Sequence, residues 1–222
     1  MKQWIAGLAL LGMAGIAQAE QSVVGVYSMD GYVSATLELK ANHQFSFEIL
    51  GATVKGEATG QWESVEGGVT LTTTPFPPAF HLLDTKADAE RWVVEFVQPD
   101  GQPLPGKPSP RSLLGMNGLG AALVRSEGPV LAMGDGDKGV WQVSWKRDGV
   151  LQQVVVANAV NVFQAPTFIP AQPGQGQYRV AVDIASAYKV PFHQSMVRVS
   201  SDRARVMTPE AGYELDLHKK QN

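Results

Sequence analysis

The sequence predicts an all-β protein of two small antiparallel β-domains, a curled sheet or barrel followed by a β-sandwich. Three observations carry this. Apolar and polar residues alternate in short runs, as Val33, Ala35, Leu37 and Leu39 against Ser34, Thr36, Glu38 and Lys40, the pattern of a half-buried strand. The runs recur at intervals of about ten residues and are separated by Gly, Asn, Asp and Pro, which favour tight turns. No long segment repeats its apolar residues at helical spacing.

Residues 1–19 read as an address rather than as part of the fold. Lys2 supplies a positive start, Trp4 to Ile16 is an uncharged apolar run, and Ala17-Gln18-Ala19 places small residues where a signal peptidase reads them. The mature chain would begin at Glu20. The run is shorter than the roughly 20 residues of a comfortable transmembrane helix, so an uncleaved anchor is the weaker reading. No later stretch is apolar enough to span a bilayer as a helix. The expected location is the periplasm, with secretion as the alternative.

The N-terminal domain, 20–80, is expected to hold five strands, at 23–27, 33–39, 44–50, 54–65 and 69–74. Asn42 suits the positive φ of the turn 41–43, and Glu66-Gly67-Gly68 reads as a hairpin turn. Phe45, Phe47 and Ile49 share one face of the third strand, and Ala58, Gly60 and Trp62 one face of the fourth. Three prolines between 75 and 78 cannot continue a central strand, so a soft boundary falls there.

The C-terminal domain, 81–222, opens with a short helical turn within 82–90. Strands are expected at 91–98, 121–125, 130–133, 140–145, 150–157, 178–184, 196–200 and 213–218. The Pro-rich stretch 101–111 and the Gly-rich stretch after it read as surface loop. So does 170–177.

Gly25-Val26-Tyr27, Leu37-Glu38-Leu39 with Phe45, Ala58-Thr59-Gly60-Gln61-Trp62 and Gly68-Val69-Thr70-Leu71 together resemble the lipocalin-like or calycin-like β-domains of exported bacterial proteins. Val93 to Gln98 with Pro99-Asp100-Gly101-Gln102-Pro103-Leu104 and the later Gly134-Asp135-Gly136-Asp137-Lys138-Gly139-Val140 resemble the transthyretin-like, carboxypeptidase-regulatory-like β-sandwich. The second resemblance implies a structural or interaction module.

Composition narrows the chemistry. Of 222 residues, 18% are charged and 44% apolar, near globular averages, which excludes a chain disordered throughout. The net charge of −3 argues against nucleic acid as a partner. The absence of cysteine removes disulfides, thiol nucleophiles and thiolate metal sites. His43, His81, His193 and His218 lie far apart in sequence, with no His-x-x-x-His zinc pair. Asp135 and Asp137 lack the further ligands of a calcium loop and read as turn residues. Glu48, Glu57 and Glu63 read as a solvated face, Trp141 and Trp145 as core, and Arg203 and Arg205 as residues flanking a short turn. No catalytic residue, metal or cofactor is assigned.

The resulting expectation is a non-catalytic binding protein whose partner is an envelope protein. Its contact surface is expected at the proline-stiffened aromatics Phe76, Phe80, Phe163 and Phe168. One alternative is a carrier of a small apolar ligand inside the N-terminal barrel, lined by Phe45, Phe47, Ile49 and Trp62. Another is a hydrolase assembled from distant loops.

Overall fold

The computed structural model describes residues 23–52, 54–104, 119–132, 141–158, 161, 163–207 and 214–220, with only the backbone of 130–132. The leader segment 1–19 and the Asp135/Asp137 turn lie outside the described residues. The protein is all-β, as expected, and its strands build a closed eight-stranded barrel and two four-stranded sheets. No helix among the described residues is long and apolar enough to cross a membrane.

The chain divides into two compact units. The first takes residues up to 52, 56–74 and from 190 onward; the second takes 75–189 with a short stretch at 53–55. The first crossing, at 74/75, falls close to the boundary expected at 80/81. The second, at 189/190, returns the chain to the barrel, whereas the sequence predicts a sandwich through residue 222.

The first unit is the barrel. Its N-terminal strands are β1 (Gly25–Met29), β2 (Val33–Leu39), β3 (Gln44–Gly51), β4 (Lys55–Val65) and β5 (Gly68–Thr73), close to the five expected. They form an antiparallel meander in chain order. Three strands from the C-terminus close it: β14 (Ser195–Val199) pairs with β5, β15 (Arg203–Met207) with β14, and β16 (Glu214–Lys219) with β15 and β1. Arg203 and Arg205 therefore lie within a strand rather than beside a turn.

Alternation sends one side of each barrel strand inward. Leu37, Phe45, Phe47, Trp62, Leu71, Val197, Val206 and Leu217 are buried. Phe192 stands edge-on to both Phe45 and Phe47, with ring centroids 5.8 and 5.4 Å apart. Offset aromatic geometry of this kind adds to the area each ring removes from water. Trp62 is anchored at its polar end, its Nε1 donating to the Lys40 carbonyl at 3.0 Å. Gly60 is required beside it: a Cβ there would lie 2.0 Å from the Thr72 carbonyl oxygen and 2.8 Å from the Phe45 ring.

The second unit contains the remaining strands, β6 (Phe80–Ala87), β7 (Arg91–Val97), β8 (Leu119–Arg125), β9 (Gly128–Ala132), β10 (Gln142–Lys146), β11 (Leu151–Asn158), β12 (Thr167–Pro170) and β13 (Gln175–Val182). One sheet has the order β10-β7-β13-β6, with β7 and β13 parallel; the other has β12-β11-β8-β9. Trp92, Phe96, Val143, Trp145, Tyr178 and Val180 from the first pack with Leu123, Val154, Val156 and Ile169 from the second, so the unit is a sandwich.

One expectation fails here. The helical turn sought within 82–90 is instead β6, an edge strand paired with β13 from Phe80↔Val182 to Ala87↔Gln175. Its Leu82-Leu83 doublet breaks strict alternation, and its only strand partner lies far along the chain. The one described helix, α1 (Ile184–Ala187), follows β13, where Asp183 caps it by accepting from the Ser186 N–H at 3.2 Å.

Candidate functional site

The four aromatics expected to form a partner surface do not form one. Phe80 is buried in the sandwich core and meets Phe96 edge-on at 6.5 Å. Phe163 is also buried. Pro78 and Pro166 lie two and three residues from these rings and do not hold them at the surface. Phe76 is half-buried, and Phe168 alone is open, 57% exposed on edge strand β12. The four side chains proposed to line an apolar cavity do converge inside the barrel. Phe45, Phe47, Ile49 and Trp62 are all buried, and Phe192 fills the space against two of them.

The polar residues singled out in the sequence are dispersed. His43 takes a positive φ of 62° in the β2–β3 turn and stacks on Trp62 with centroids 4.6 Å apart. His81, His193 and His218 are exposed, as are Glu48, Glu57 and Glu63. Trp141 and Trp145 are buried in the sandwich, their Nε1 atoms without partners. Among the described residues no three His, Asp or Glu side chains gather as metal ligands would.

Exposed charge and exposed apolar surface meet on the outer wall of β14, β15 and β16. Ser195, Met196, Arg198, Arg205, Met207 and Glu214 line an open groove of about 490 Å³. The strand period fixes who stands beside whom. Arg198 is the direct cross-strand partner of Arg205, which in turn faces Asp216. Met207 faces Glu214, and Met196 and Met207 are 45% and 50% exposed. The next register position along the strands brings Arg203 to His218.

The electrostatics of this wall are uneven. Arg205 Nε lies 3.6 Å from Glu214 Oε1, and Arg203 Nη1 lies 3.2 Å from Asp216 Oδ2. Arg198 has no acidic partner among the described residues. On its other side stands Gly68 of β5, which offers no side chain. Like charges directly opposite each other across a ladder are unfavourable, so Arg198 and Arg205 together leave an unanswered positive charge. Of the arginines on this wall, the sequence singles out Arg203 and Arg205. Arg198 and the methionines were missed because the pairing that assembles them depends on β15, whose Arg-Ala-Arg-Val-Met alternation is the signal that was available.

The sandwich unit has its own polar constellations, and they are structural. Arg179 Nε lies 3.1 Å from Glu95 Oε2 and its Nη1 3.3 Å from Asp84 Oδ2, while Nη2 donates to the Gly101 carbonyl at 2.9 Å. Asp84 first, then Glu95, hold the guanidinium above its ordinary pKa. The backbone N–H groups of Glu90 and Arg91 and the Gln177 amide donate to Asp88 and hold its carboxyl below the usual value. A cleft of about 310 Å³ has Trp92 and Tyr178 at its floor, but both rings are almost wholly buried in the core. A second space of about 130 Å³ beside Trp141, Asn158 and Tyr188 is smaller than the roughly 300 Å³ where small-molecule sites begin.

Comparison with protein-family models, with curated proteins and with solved structures finds no match to this chain.

Proposed function

We propose that this chain is an exported, non-catalytic binding protein of the bacterial periplasm, and that its barrel presents the outer wall of β14–β16 to a partner. The groove on that wall carries the proposal. It combines two exposed methionines with a cross-strand pair of arginines of which only Arg205 has an acidic partner among the described residues, on a barrel whose interior side chains are engaged with one another. Exposed apolar surface rimmed by charge marks interaction sites on soluble proteins. Methionine suits such a surface because its unbranched, polarisable chain adapts to the shape it meets. The leader-like residues 1–19 support export.

Immobilised protein exposed to periplasmic extract tests the reading, with Met207→Asp as the matched variant. Met207 is half exposed on the outer wall, so the substitution leaves the barrel interior intact. A partner retained by the parent protein and lost by the variant is the expected result. Equal capture by both would remove this wall from the function, and no capture by either would overturn the binding reading. Amino-terminal sequencing of the exported protein should begin at Glu20.

A further inference from the structure

We propose that the β14–β16 groove receives an extended acidic–apolar segment of a partner protein, its carboxylate seated between Arg198 and Arg205 and its apolar side chain laid on Met196 and Met207; this rests on the binding-protein reading. The charge argument comes first. Arg198 and Arg205 are cross-strand partners, Glu214 answers only Arg205, and Gly68 leaves the far side of Arg198 bare. A carboxylate bridging two guanidiniums relieves their repulsion and accepts paired N–H bonds, which the planar guanidinium is shaped to give.

Spacing then selects the form of the segment. Arg198 is two residues from Met196 along β14, and Arg205 two residues from Met207 along β15. Residues two apart on a strand are separated by roughly 7 Å. An extended ligand has the same repeat, so an acidic residue and an apolar residue at i and i+2 match the two rows together. The closed barrel offers no free edge here, so recognition runs through side chains and not through an added strand. An anionic membrane is a poorer fit. Asp202, Glu214 and Asp216 stand on or beside the same three strands, and a surface of many negative charges meets them as well as the arginines.

The test uses the purified protein carrying ¹³C-methyl methionine. The probe is a blocked peptide of alternating Glu-Ser-Leu-Ser sequence, and the control replaces each Glu by Gln. Saturable shifts of the Met196 and Met207 methyls with the Glu peptide are expected. The buried-side reporter Met29 should not move. Binding should weaken at least tenfold for the Gln peptide and for Arg198→Gln, a residue with no ion pair among the described residues to lose. No shift at millimolar peptide, or equal shifts with both peptides, overturns the proposal. The same methyls moving with anionic vesicles alone, or with protein concentration alone, overturns it in favour of a membrane or a second copy. If the peptide fails while partner capture by the parent protein persists, the binding reading stands and this ligand chemistry falls.

Discussion

Tyr27 links burial to a measurable pH dependence. Its ring lies wholly inside the barrel and its hydroxyl donates to the Val23 carbonyl at 2.7 Å. Burial pushes its pKa up to about 12, because the phenolate would lose hydration it cannot replace. The unfolded chain ionises near pH 10, so between about 10 and 12 the unfolded state sheds a proton that the folded state keeps. Stability from this group is therefore complete below pH 10 and declines as pH rises toward 12, by about 3 kcal/mol in all. Urea midpoints at pH 8 and pH 11 should show this fall, and Tyr27→Phe should flatten it at a cost of about 1 kcal/mol for the lost hydrogen bond at neutral pH. A steep fall retained in Tyr27→Phe would assign the titration elsewhere. Side-chain placement was legible at this scale where it followed a strand period, as for Phe45, Phe47, Ile49 and Trp62. It was illegible for Phe80 and Phe163, because a ring beside prolines looks the same in sequence whether the chain is entering a core or leaving one.

Among elements, α1 is too short to hold itself, and a set of buried amides holds its C-terminal end. Asn158 Nδ2 donates to the Ala187 carbonyl at 2.8 Å. Asn161 Nδ2 reaches both Ala187 and Lys189 at 3.0 and 2.9 Å, while its Oδ1 accepts from the Phe163 N–H at 3.2 Å. Gln164 Nε2 donates to Ser186 and Lys189. Both carbonyls that Asn161 serves keep a second donor, from Asn158 and Gln164. Asn161→Ala should cost about 2 kcal/mol for the loss of its buried hydrogen bonds, with faster hydrogen exchange across 184–189. Asn161→Asp keeps the shape but turns a buried carboxylate toward two carbonyl oxygens. It should cost more than the alanine at pH 7 and recover as the carboxyl is protonated on acidification; an aspartate variant no worse than alanine would mean the site is wet. Elements were readable when at least one neighbour in the sheet lay next along the chain, as in β1 to β5. β6 and β12 are edge strands with weak alternation. β15 resembles a turn in sequence, two arginines around a small residue, and its strand character shows only in the burial of Ala204 and Val206.

The whole molecule is a barrel whose hairpin between β5 and β14 has been opened to admit a sandwich. Composition and period predicted all-β architecture but not this, since the closing pairs join residues such as Leu71 and Ser195 that local patterning cannot connect. Where the chain leaves and rejoins the barrel, its two ends are bonded to each other. Thr73 N donates to the Phe192 carbonyl, Phe192 N to Thr73 Oγ1, and Thr73 Oγ1 to the Val190 carbonyl, each at 2.9 Å. Thr74 and Val190 are further tied by backbone bonds to Thr59 and Glu57 of β4. A Gly-Ser linker of about four residues should therefore span from Thr74 to Val190 without strain. With 75–189 removed, the barrel strands become consecutive and every core residue of the barrel is retained. Closing so short a loop costs about 3 kcal/mol less chain entropy than closing the original one from an unfolded insert. The excised protein, begun at Glu20, should fold as a cooperative barrel and refold faster than the parent. Trp62 becomes its only tryptophan, and blue-shifted emission that reddens in a single denaturant transition is the expected signature. Red-shifted emission without a transition would show that the barrel depends on its insert, whereas the fragment 20–74 alone should be unfolded in either case, because it lacks the three strands that close the sheet.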